Sequence, residues 1–210
     1  MNLPVFSPVP LSLRQWQLAQ VVKIQHFVLG PVGTNMQQAC KAWNMKNALE
    51  QKAHITLCKT PEDCLAQARL VSEKGVLPLF WTCAVYYALN QFFFNNPDTF
   101  PFLFSFNFPL DNMQLCVREE LANKEWNNDW RIASHPSPAP LVAGLVNQAT
   151  LTTSNAQAAK LCAGGEVEAC ITTAQAAKIH GLTMVHEFGS PNMVFFAGTT
   201  QHGVSVLQGR

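Results

Sequence analysis

The sequence predicts an α/β fold with helices packed over parallel sheets, and three observations predict it. Apolar stretches of strand length alternate with stretches of helical character along most of the chain. Hydroxyl residues stand where the helical stretches begin, and glycines stand where several of them end. An apolar fraction of 48% against 13% charged residues gives this 210-residue chain a sizeable core, as one α/β domain or two small lobes.

The elements follow in order. A proline-rich arm with Pro4, Pro8 and Pro10 precedes a strand over residues 25–29, which ends at Gly30. Residues 30–35 form a turn into a helix over 36–43, and Thr34 or Asn35 can cap it by accepting from the first unpaired N–H groups. A second unit repeats the theme, with a strand over 54–58 and then Thr60-Pro61-Glu62-Asp63. Those four residues supply a cap, a proline at the first helical position and two acids beside the positive helix end. That helix runs to about residue 72, and Gly75 precedes a strand over 76–81.

Residues 82–100 are aromatic and irregular, 101–110 alternate aromatic and small residues, and 113–118 read as a strand. The polar stretch 121–129 is a surface turn or short helix. A strand over 130–133 feeds Ser134-His135-Pro136-Ser137-Pro138, followed by a helix over 140–146. The last third has strands at 150–153 and 169–172 and a helix over 155–162, capped by Ser154 and stopped by Gly164-Gly165. A helix over 173–180 ends at Gly181 in the left-handed position. Strands at 182–188 and 193–197 close the chain, and the tail fades after Gly198.

Composition excludes several functions. The formal charge is +1 and no basic block appears, so the chain lacks the clustered cations that displace counterions from nucleic acid. Seven scattered cysteines without a C-x-x-C pair read as small buried hydrophobes in a reducing cytosol. The start of the chain lacks the cationic and apolar regions of a signal peptide, and no apolar run reaches the ~18 residues of a membrane span. The expectation is a soluble cytoplasmic protein, with the question of a homodimer left open. No His, Cys or carboxylate grouping has metal-ligand spacing, and His26, His54, His180, His186 and His202 are isolated. G-x-S-x-G, P-loop and G-x-G-x-x-G patterns are absent, so neither metal nor cofactor is expected.

Four strand-to-helix turns are rich in hydroxyls and amides: Gly33-Thr34-Asn35, Ser134-His135-Pro136-Ser137, Thr153-Ser154-Asn155 and Thr172-Thr173. Each taken alone is an ordinary set of helix caps. Together they equip one α/β chain to bind a carboxylate with helix N-termini in place of Lys or Arg. His135, between hydroxyl residues, is either an acid or donor facing a ligand or a structural histidine that locks its loop.

These turns resemble those of the prephenate dehydratase superfamily. Gly30-Pro31-Val32-Gly33-Thr34 resembles its Gly-Pro-x-Gly-Thr turn, and Ser134-His135-Pro136 resembles its Ser-His-Pro turn. Residues 154–159, 169–172 and 176–182 resemble its final αβα block, so the likeness runs in order over about residues 25–200. Two features depart from the dehydratase pattern. Met193 and Val194 stand where its Thr-Arg-Phe motif places Thr and Arg, and its Glu-Asn-Ser segment is replaced within residues 82–90. With those departures the chain resembles the non-aromatising prephenate decarboxylases of the bacilysin and aeruginosin pathways.

The resemblance implies a two-lobed, type II periplasmic-binding-protein-like fold with the ligand in the interlobe cleft. Residues 1–24 are the arm, 25–110 with 184–210 one lobe, and 111–183 the other. It implies a carboxy-lyase that takes prephenate to a dihydro-4-hydroxyphenylpyruvate for a non-proteinogenic amino acid or peptide natural product. Thr34, Asn35, Ser154, Asn155 and Thr172 would hold carboxylates. Ser134 and His135 would orient the ring or supply the proton, with His135 the candidate acid. Aromatic residues between 80 and 94 either wall off solvent or are plain core. A dehydratase, a non-catalytic carboxylate-binding protein and a decarboxylase of another cyclohexadienyl or aryl acid are the rival readings.

Overall fold

The computed structural model describes residues 21–145 and 149–209, with the side chains of Phe100, Pro101 and Phe102 left aside. The arm expected over residues 1–24 lies outside the described residues up to residue 20, as does Val146. The described chain divides into two compact units, one holding residues up to Phe108 and from Met193 onward, the other Pro109–Asn192.

In the first unit, β1 (Lys23–Leu29) buries Ile24, His26, Phe27 and Val28 and exposes only Lys23, as a strand covered on both faces does. Two capped crossovers follow, α1 (Asn35–Lys46) into β2 (Ala53–Cys58) and α2 (Pro61–Leu70) into β3 (Val76–Cys83). Thr60 Oγ1 accepts from the Asp63 N–H at 3.0 Å with Pro61 beginning the helix, as the sequence predicts. β1 pairs in parallel with both β2 and β3. The segment expected to be irregular contains a short helix, α3 (Leu89–Phe94), with no side-chain cap. It forms because Phe92 is buried against Phe80 and the α2 residues Cys64, Leu65 and Ala68.

β4 (Phe100–Pro109) and β10 (Asn192–Thr199) complete a sheet of order β2-β1-β3-β10-β4. The tail does not fade. Thr200 caps α6 (Gln201–Leu207), whose Val204, Val206 and Leu207 are buried, so tertiary burial overrides the modest helix propensity of valine and glycine. His26 is not isolated either. Its Nδ1 accepts from Trp81 Nε1–H at 3.0 Å and its Nε2–H donates to Asn44 Oδ1 at 3.0 Å, inside a cluster with Trp43.

In the second unit, β5 (Met113–Val117), β6 (Ile132–Ser134), β7 (Ala149–Leu151), β8 (Ala169–Thr173) and β9 (Thr183–Gly189) form a sheet of order β7-β6-β8-β5-β9. β9 hydrogen-bonds β5, so the division between the units falls after it, at Met193, and not at residue 184. Two helices, α4 (Asn155–Ala163) and α5 (Ala174–Ile179), accompany this sheet, and Gly181 after α5 has φ +64°. The helix expected over 140–146 is instead a single 3₁₀ turn, Ala139–Val142. Pro140 removes an N–H, and Gly144 at φ +93° turns the chain away.

Both sheets are mixed, which corrects the expectation of purely parallel pairing. Strands reached through helical crossovers pair in parallel, as β6 does with β8. β10 runs antiparallel to β3, and β5 runs antiparallel to β8 and β9. β5 follows β4, and β10 follows β9, through short links with no helix, so no crossover constrains their direction.

Candidate functional site

In the first unit the start of α1 is tied into its turn. Gly33, at φ +89°, donates its N–H to Gln37 Oε1 at 2.8 Å, and Gln38 Nε2 donates to Gly33 O at 3.1 Å. Thr34 is the cap: Oγ1 accepts from the Gln37 N–H at 3.3 Å and donates to Leu29 O at 2.8 Å. Asn35 is the first helical residue and is half-buried. Gly30 allows β1 to end against β2, since a Cβ there would lie 3.2 Å from Leu57 Cβ.

The second unit brings Ser134, His135, Ser154, Asn155 and Thr172 together. The Thr152 N–H donates to Ser134 O at 2.9 Å, and Thr152 Oγ1 donates to Ser154 O at 3.0 Å, which joins the end of β6 to the start of α4. Ser154 Oγ accepts from the Gln157 N–H at 3.0 Å. Thr172 is fully buried, and its hydroxyl donates to Asn155 O at 2.8 Å, fastening the first turn of α4 to β8. Ser134 is also fully buried, with Oγ donating to His135 O at 2.9 Å.

The Ser134 and Thr172 hydroxyl protons are thus spent on backbone carbonyls that hold the loops. Asn155 Oδ1 is buried and has no hydrogen-bond partner among the described residues. A buried acceptor in that state is costly unless something else supplies a donor.

His135 is half-buried, and burial holds its imidazole below the ordinary range. Its Nδ1 accepts from the Ser137 N–H at 3.2 Å. The cysteines are all free, and burial pushes the Cys40 and Cys64 thiols well above the usual range and Cys116 up to about 12. Thiols so raised are packing residues and poor nucleophiles. Among the described residues, no three His, Cys, Asp or Glu side chains gather as a metal site would need, and no helix is long and apolar enough to cross a membrane.

Sequence reasoning missed Thr152, the tie between the two loops of the second unit. A hydroxyl two residues before a cap was a usable signal, because such side chains fold back onto nearby carbonyls. Met193 and Val194 lie half-buried on β10, whose backbone is fixed there by the Ala84 N–H donating to Val194 O at 2.9 Å. Of the aromatic residues between 80 and 94, Phe80 and Phe92 are core, while Tyr87 and Phe94 are exposed.

No family model and no curated protein matches the chain. Solved structures do. The chain is similar to the periplasmic VFT2 domain of BvgS from Bordetella pertussis, with TM-score 0.57 and 14% identity over 95% of this chain and 91% of that one. It is similar to the prephenate dehydratase of Staphylococcus aureus subsp. aureus Mu50, with TM-score 0.51 and 12% identity over 85% of this chain. There it spans 66% of the dehydratase's length, just under two thirds. It is similar also to PhnD1 from Prochlorococcus marinus in complex with methylphosphonate, with TM-score 0.51 and 8% identity over 90% of this chain and 82% of that one. At such identities the likeness concerns architecture, and the architecture is the two-unit α/β fold of periplasmic-binding-protein type.

Proposed function

We propose that this chain binds prephenate and removes its ring carboxylate without dehydration, giving a dihydro-4-hydroxyphenylpyruvate. One feature carries the reading: Met193 and Val194, half-buried on β10, stand where the resemblance to the dehydratase pattern would put Thr and Arg. A dehydratase must protonate the ring hydroxyl so that water leaves with CO2. Methionine and valine offer that hydroxyl neither a proton nor a cation, and an apolar wall strips water from the departing carboxylate. The bond to CO2 breaks, its electron pair enters the ring, a ring carbon takes a proton from solvent water, and the alcohol survives.

In the first unit the start of α1, near Thr34 and Asn35, would offer backbone N–H groups to a carboxylate; in the second unit the start of α4, near Ser154 and Asn155, would do the same. Thr172 and Ser134 serve by holding those loops in place, given where their hydroxyls donate. His135 contributes a ring nitrogen at the end of β6. The test is incubation with prephenate and product identification by proton NMR. Olefinic signals of a dihydro product are expected; aromatic signals of phenylpyruvate would make the chain a dehydratase.

A non-catalytic binding role is favoured by one specific feature, the absence of a charged acid or base among these loop residues, since burial disfavours protonated His135. Tight prephenate binding without turnover would establish that reading.

A further inference from the structure

We infer that His135 is held as the neutral imidazole with its proton on Nε2, and that it takes an acceptor oxygen of a carboxylate ligand as a hydrogen-bond donor rather than acting as a proton source. One contact sets the tautomer. The Ser137 backbone N–H points at His135 Nδ1, 3.2 Å away. A backbone amide nitrogen only donates, so Nδ1 must present its lone pair, and the ring proton sits on Nε2. Two features fix this arrangement. His135 O accepts from both Ser134 Oγ at 2.9 Å and the Ala139 N–H at 3.2 Å, which anchors the root of the side chain. Pro136 and Pro138 on either side of Ser137 restrict the backbone that aims its N–H.

Protonating Nδ1 would set one N–H against another. It would forfeit the Ser137 bond and leave a cation half-buried, and burial already disfavours that cation. What remains is a donor of fixed direction at Nε2. A neutral N–H suits a carboxylate or carbonyl oxygen and cannot serve a ligand group that is itself only a donor. The loop that carries it is bonded through Thr152 to the start of α4, so the donor stands in the same loop assembly as the helix N–H groups assigned to carboxylates.

This inference rests on the preceding reading only for the identity of the carboxylate. The test is a long-range proton–nitrogen NMR spectrum of 15N-histidine-labelled protein near neutral pH, with His135 assigned from the signal missing in His135→Gln. A pyridine-type Nδ1 and a protonated Nε2 are expected in the free protein. A protonated Nδ1 would overturn the assignment. Prephenate, phenylpyruvate and benzoate are then added separately, and at least one is expected to move the Nε2–H resonance. If none does, the donor role is wrong. If prephenate alone is inert, the donor role stands and prephenate is the wrong ligand.

His135→Gln, whose amide reaches the Nε2 position, should bind the responding carboxylate within about threefold of wild type, while His135→Leu should lose about tenfold or more. Equal loss in both variants would refute a donor role.

Discussion

Asn155 Oδ1 is the one acceptor in the second unit's loop cluster that the fold buries and leaves without a described partner. Its backbone carbonyl, bonded by Thr172, and the Ser154 cap are independent of its side chain. Asn155→Ala should therefore keep thermal stability within about 0.5 kcal/mol, because removing an unpaired buried acceptor forfeits no bond. Oδ1 can take only a donor, such as the ring hydroxyl of prephenate, so losing it should weaken prephenate binding about tenfold, read by calorimetry. His26 behaves in the opposite way. Replacing it by leucine leaves Trp81 Nε1–H and Asn44 Oδ1 buried without their partner, and should cost about 2–4 kcal/mol in denaturant unfolding. The network was illegible in the sequence because its members lie 18 and 55 residues from His26. Nothing local marks a histidine whose partners arrive only with the fold.

Elements with chemical punctuation were legible. Thr34, Thr60, Ser154 and Thr173 all cap helices, and each satisfies an N–H that the helix itself leaves unpaired. α3 lacked such a mark, since Ala88 offers no capping side chain. α6 had one in Thr200, but Gly203 and the valines obscured it. Strand direction was not legible for β5 and β10, because it is set by partners far along the chain. At the candidate site the residue types and the order of loops were readable, and five of the residues do converge in the second unit. Which hydroxyl faces a ligand and which is spent on a carbonyl depends on packing, and only the structure assigns Ser134 and Thr172 to the latter.

The glycine that hid α6 also supports it. A Cβ at Gly203 would lie 1.9 Å from Thr199 Oγ1, which donates to Pro78 O at 2.5 Å. Gly203→Ala gains about 1 kcal/mol of helix propensity but forces that hydroxyl out of its bond. A net loss of about 1–2 kcal/mol is expected, seen as a fall in Tm of about 3–6 °C.

For the whole molecule, stability should depend on pH in a defined direction. Burial lowers the His26 pKa from 6.5 to about 4. The unfolded chain therefore binds the extra proton first, so stability is full above about pH 6.5 and is lost as pH falls toward about 4. The shift corresponds to about 3 kcal/mol. His135, also lowered, adds in the same sense. Urea unfolding across this range should show the loss in wild type, and His26→Leu should lack most of it.

The ring alcohol of prephenate either survives the loss of CO2 or leaves with it. Prephenate carrying 13C in its ring carboxylate, incubated with the protein in deuterated, mildly alkaline buffer, distinguishes the two outcomes directly by NMR. Labelled CO2 is expected together with one deuterium on a ring carbon and a retained carbinol signal. Labelled CO2 accompanied by the aromatic signals of phenylpyruvate, or an intact carboxylate signal that only shifts on binding, would contradict the proposed decarboxylation.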